Sequence, residues 1–196
     1  MSIDLLTALQ EKMGCAPLKK IDPNTGDVID SDKNIPENLI AQAVIPTALA
    51  GIYELSKSDE GIKKIKGEDS FTNWSDILFG EHKQKIVGNI AGYAVCDFQQ
   101  AEIKLNTATS EAINLIRKNT VSSENDKALK EFIALQRNNI LPYLPPALHI
   151  GGLLNATIDD STTKMQGPIS TLMHKIETGF GGHETKKDAE DKKDNY

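Results

Sequence analysis

Between Ile77 and Lys118 the apolar side chains recur every three or four residues, stop, and start again. In the first run Ile86, Val87, Ile90, Ala91 and Ala94 fall on one face of a 3.6-residue helix. In the second, Ala101, Leu105, Ala108, Ala112, Leu115 and Ile116 do the same. Cys96 and Asp97 stand between them, and Asp97-Phe98-Gln99-Gln100 has the form of a capping box. In that form the aspartate accepts from an orphan helical N–H while the glutamine reaches back to the cap. A strand would turn half of each stripe to solvent. This stretch therefore commits the chain to helix packing, as two amphipathic helices around a capped corner.

The remaining apolar runs agree. A first helix is expected over Ile3 to Met13, with Leu5, Leu6 and Leu9 buried and Gly14 ending it. A second should run from Pro36 to Leu55. Leu39, Ile40, Ala43, Val44, Leu49 and Ile52 make it apolar enough for the centre of a core, with Pro46 kinking or splitting it. Asp59 to Thr72 is charged and punctuated by glycine, which reads as a loop or a poorly packed short helix. Trp74 should plug that loop onto the body. Ser123-Glu124-Asn125-Asp126 has capping-box form, and Phe132, Ile133 and Leu135 continue a helix to about Arg137. A shift of 63 residues aligns Ile40 with Ile103, Leu49 with Ala112 and Ile52 with Leu115, an echo that fits two similar helical units. The fold expected is all-α, with a compact multi-helix domain over residues 1–138.

A nineteen-residue run without formal charge follows, Ile140 to Ile158. A membrane span needs about twenty residues of unbroken helix. Pro142, Pro145 and Pro146 break the first third, and His149, Gly151, Gly152 and Asn155 weaken the rest. The run reads as an extended lead-in and a short helix from about Pro146, within a helical extension over 139–182, and no span is expected. Its leucines have two readings. They complete the core, or Tyr143, Leu144, Leu148, Leu153 and Leu154 form a docking surface for another chain. Residues 183–196 alternate Lys with Asp and Glu and have no apolar face, so a disordered tail is expected.

The order of these elements carries a resemblance. An N-terminal Leu-Leu helix precedes a helix containing Leu-Ile-Ala-Gln-Ala-Val-Ile-Pro. Ile-Leu-Phe-Gly and then Ile-Val-Gly-Asn-Ile-Ala-Gly-Tyr follow. With Pro46, Gly80, Gly88 and Gly92, residues 1–118 resemble the YidB-like family, bacterial all-helical proteins of unknown function. The chain departs from that pattern at Thr109, where such proteins often carry a proline, and in lacking glycine-rich spacers. The resemblance implies a helical fold and no activity.

The chemistry-bearing residues are scattered. The loop from Asp22 to Lys33 fails a calcium template, with Gly26 at a ligand position, Asp27 at the glycine position and Lys33 at the bidentate glutamate. His82, His149, His174 and His183 have no neighbour at metal-ligand spacing. Asp159 and Asp160 read as helix-capping acids. Gly179-Phe180-Gly181-Gly182 lacks the strand and the Gly-Lys-Thr/Ser of a phosphate loop and reads as a helix terminator. Cys15 and Cys96 read as free thiols.

A net charge of −6 and only two arginines, Arg117 and Arg137, argue against nucleic acid, which is held by clustered cations. The second helix of the corner offers Glu102, Lys104, Glu111, Arg117 and Lys118, a mixed-sign face unsuited to a DNA groove. Asp4 in the amphipathic N-terminus argues against a signal peptide, so the cytoplasm is the expected location. The leading expectation is a non-catalytic protein acting by protein–protein contact or self-association, without cofactor or metal. The alternative is an enzyme or small-molecule binder whose site forms in three dimensions near His149, Asp159 and His174.

Overall fold

The most apolar helix of the chain lies at the centre of the body. The structure is a computed structural model describing residues 3–28, 38–67, 73–120 and 125–154. Its helices are α1 (Leu5–Met13), α2 (Leu39–Ser56), α3 (Asp59–Lys66), α4 (Trp74–Phe79), α5 (Lys83–Ala94), α6 (Phe98–Thr120), α7 (Asp126–Ile140) and α8 (Ile150–Leu153). Gly80–His82, Leu141–Tyr143 and Pro146–Leu148 form 3₁₀ turns. Among the described residues the only extended pairing is an isolated antiparallel bridge between Ile21 and Val28, so the architecture is all-α. The chain divides into two units, Met1–Thr163 and Lys164–Tyr196, and every described residue belongs to the first. Pro36, Ser123, Asp159, Asp160, His174, Gly179 to Gly182 and the charged tail 183–196 lie outside the described residues.

Helix α2 packs against α1, α3, α4, α5, α6 and α7. It is eighteen residues long with mean hydropathy 1.4, enough by length and composition to cross a membrane, and 72% of it is buried inside this body. It starts at Leu39, where the Ala41 N–H donates to Asn38 Oδ1 at 3.0 Å. Pro46 neither ends nor splits it. An interior proline costs about 3 kcal/mol. Burying Ile45, Leu49 and Ile52, each at most 2% exposed, returns about 1.5–3 kcal/mol apiece, so packing overrides the proline.

Helix α3 corrects the expectation of a loop or poorly packed helix after Asp59. Ile62 and Ile65 are fully buried, and Ser58 Oγ caps the helix by accepting from the Gly61 N–H at 2.9 Å. Asp59 and Glu60 in the first turn and Lys63, Lys64 and Lys66 in the last complement its dipole. Arg117 of α6 reaches its C-terminus, donating from Nε to the Ile65 carbonyl at 2.8 Å while lying 5.3 Å from the Trp74 ring. Trp74 is 5% exposed and begins α4. The stretch expected as one helix before the corner is broken at Gly80, whose φ of +48° favours glycine, so α4 and α5 are separate.

Two buried glutamines tie distant segments to the bundle. Gln136 of α7 accepts from the Leu5 N–H at 3.0 Å and donates to the Ile3 carbonyl at 3.1 Å. Gln42 of α2 accepts from the Lys19 N–H at 2.8 Å and donates to the carbonyls of Lys19 and Tyr143 at 2.9 and 2.7 Å. Each satisfies backbone groups that have no helical partner, as burial requires. The Asp22 region is a turn, its Oδ1 accepting from the Asn24 N–H at 2.8 Å.

Candidate interaction surface

Three of the large apolar side chains exposed among the described residues lie at the corner between α5 and α6. The buried face of α5 is Ile86, Val87 and Ile90; that of α6 is Ala101, Leu105, Ala108, Ala112, Ile113 and Ile116. Both stripes run as the 3.6-residue spacing requires. Off those stripes stand Val95 at 86% exposure, Ile103 at 55% and Phe98 at 41%. Shallow open grooves lined by Ala91, Val95, Cys96, Asp97, Gln100 and Ile103 run across the corner. Leu135 is also exposed, on α7.

Helix α5 ends in a left-handed residue, Val95, at φ 50° and ψ 52°. The N–H groups of Val95 and Cys96 both donate to the Ala91 carbonyl, the latter at 3.1 Å. At the start of α6 the Ala101 N–H donates to the Asp97 carbonyl at 3.0 Å. The capping box expected there does not form: among the described residues, neither Asp97 nor Gln100 makes a side-chain hydrogen bond, and both side chains are exposed. The first residues of α6 are exposed, which leaves their orphan N–H groups open to solvent. At α7 the cap is Asn125, whose Oδ1 accepts from the Lys127 N–H at 2.9 Å.

The other end of α5 is pinned electrostatically. The Lys83 side chain is buried between Asp76 Oδ1 at 2.7 Å and Glu102 Oε1 at 2.8 Å, joining α4, α5 and α6. Burial alone would lower its pKa, but the hydrogen bonds and charges of Asp76 and Glu102 outweigh that and raise it. Burial also pushes the Cys96 thiol up, and the Asp97 carboxylate adds to it. Cys15 is raised by burial, with the Lys104 charge opposing. Both cysteines are free, and both are held toward the neutral thiol, the poorer nucleophile.

The segment after Ile140 resolves its two readings within a single chain. Leu148 is fully buried, and Leu144 and Leu153 are 9% exposed, all within the core. Leu148 is tied down further, its carbonyl accepting from Asn89 Nδ2 of α5 at 2.9 Å. These leucines follow the core reading and do not form an exposed docking surface; Tyr143 and Leu154 are half-buried against the same core. Short helical elements begin near Pro146 as expected, but the lead-in is extended only at Leu144 and Pro145, because Leu141–Tyr143 continues from α7 as a 3₁₀ turn. His149 is exposed in a left-handed conformation at φ 51°. Its proposed companions Asp159 and His174 lie outside the described residues.

Among the described residues no group of three or more His, Cys, Asp or Glu is placed to hold a metal. His82 lies 3.8 Å from Glu81. The polar face of α6 is engaged locally, Glu102 with Lys83 and Glu111 with Lys12 at 3.9 Å, while Arg117 folds onto α3. The signal for the corner was present in Ile103, which breaks the spacing of the Ala101–Leu105–Ala108 stripe. No family model, curated protein or solved structure matches the chain.

Proposed function

We propose that this protein is a non-catalytic helical protein that works by protein–protein contact, self-associating through the α5–α6 corner. The observation that carries the reading is the exposure of Val95, Phe98 and Ile103 in one short stretch of chain, with Val95 and Ile103 lining two grooves that share Asp97 and Gln100. Single exposed apolar residues are ordinary, whereas Val95 and Ile103 in adjoining grooves, set beside Asp97, Gln99, Gln100 and Lys104, have the make-up of a contact patch. The resemblance of residues 1–118 to YidB-like proteins supports a helical scaffold and supplies no reaction.

Magnitudes set the strength. Burying each of the three side chains contributes about 1.5–3 kcal/mol, against an association cost of about 4–15 kcal/mol. A contact through the corner alone is therefore weak and concentration-dependent. Sedimentation velocity on the full chain tests it. Ile103→Asp should shift a concentration-dependent mass to that of the monomer while leaving the circular-dichroism melting curve in place, because the side chain is exposed. A parent chain that stays monomeric at every accessible concentration defeats the reading.

A further inference from the structure

The corner carries a second observation, independent of its exposure. A β-branched residue in the left-handed region is a conformational outlier, and Val95 sits there at φ 50°. The end of α1 shows the same turn made without strain. Gly14 takes φ 62° and ψ 35°, and the Cys15 N–H donates to the Gln10 carbonyl at 3.1 Å, as the Cys96 N–H does to Ala91. Glycine holds the first terminator at no steric cost. Valine holds the second while 86% exposed, with no burial to compensate.

The local signal for a break between α5 and α6, the capping form at Asp97, goes unused. Residues 95–97 are Val-Cys-Asp, without proline or glycine, and the start of α6 lacks a side-chain cap. Were residues 95–97 all right-handed helical, α5 and α6 would join. The orphan carbonyls of the last turn of α5 would then pair with the orphan N–H groups of the first turn of α6. What prevents this in one chain is tertiary. The pairs Lys83–Glu102, Arg117–Ile65 and Gln136–Leu5 all bridge residues before the corner to residues after it. Straightening the corner separates every one of them, and only a second copy can restore them unchanged.

We infer that residues 95–97 are the hinge of a domain-swapped dimer, in which α5 and α6 form one helix and residues 98–154 of each copy pack onto residues 3–94 of the other. Short connections under strain favour such exchange. The inference rests on the reading that the partner is a second copy, and it replaces a surface contact with an exchange of the core interface.

The test refolds the full chain from urea at high concentration and isolates dimer by size exclusion with light scattering. Val95→Gly removes the strain of the left-handed corner without removing the corner, and it should lower the dimer fraction several-fold. Mixing isotope-labelled with unlabelled dimer and following heterodimer by native mass spectrometry gives the second measurement. Exchange should be as slow as global unfolding. Absence of dimer overturns the swap together with the surface contact. A dimer that exchanges rapidly, is unaffected by Val95→Gly and is lost in Ile103→Asp overturns the swap alone and leaves the surface contact standing.

Discussion

Glycine has two unlike roles at the residue scale, and a pair of substitutions separates them. A Cβ built on Gly61 would lie 1.9 Å from the Leu55 carbonyl oxygen, a backbone atom that cannot yield without moving the end of α2. Gly61→Ala should therefore destabilise the body by more than about 3 kcal/mol, in the range reserved for disrupted cores. Gly88 lies in the exposed interior of α5, and a Cβ there meets nothing within 4 Å. Gly88→Ala should stabilise by about 0.5–1 kcal/mol, because alanine loses less backbone entropy in a helix. Urea midpoints of the two variants, measured side by side, check both signs. If Gly61→Ala melts like the parent, the α2–α3 approach is wider than described. The sequence distinguishes these glycines poorly. Each lies inside a segment of helical spacing with polar residues a turn before it, and only the tertiary approach of Leu55 makes one of them indispensable.

Elements were legible where a helix buries one stripe and illegible where packing overrides local preference. The stripes of α5 and α6, the Leu5-Leu6-Leu9 face of α1 and the central place of α2 follow from spacing alone, since a 3.6-residue period has one face to hide. Pro46 does not split α2, because its local penalty is smaller than the burial around it. The Asp59 to Lys66 segment misleads because two isoleucines three residues apart suffice to seat a short, well-capped, otherwise charged helix. The segment from Ile140 was ambiguous for a different reason: hydrophobicity is the same whether a leucine faces its own chain or another. Leu148→Asp tests the core placement. It would set a carboxylate in the fully buried site beneath α5 and should cost more than about 3 kcal/mol. Thermal melting by circular dichroism reads this directly, and a melting curve like the parent's would show that the 3₁₀ turn at Pro146 detaches from α5 without consequence.

Across the whole molecule, the helices around α2 are held by burial, and one buried charge brings three elements to one register. Lys83 does this for α4, α5 and α6. Its place was hidden in the sequence because lysine on a charged segment looks like any solvated lysine, and neither carboxylate partner is near it in helical spacing. Its contribution has a pH signature. The pKa of Lys83 in the folded protein lies above the ordinary value of 10.5, the bonds from Asp76 and Glu102 outweighing burial. A group whose folded pKa is raised stabilises fully below its unfolded pKa and loses that contribution as pH climbs through the folded value. Lys83→Met removes the ammonium while keeping much of the stem, and Asp76 is exposed enough to remain hydrated afterwards, its side chain being 58% accessible. The variant should be less stable than the parent by an amount that is constant between about pH 7 and pH 9. The gap should then narrow above about pH 10.5, as the parent lysine begins to lose its proton. Tyr93, raised by burial, also titrates in alkali, but it is common to both chains and cancels from the difference. Paired urea titrations across that range provide the check. A gap that stays level through strongly alkaline pH would mean that Lys83 stabilises by packing its methylene stem, and that the α4–α5–α6 junction is held without its charge.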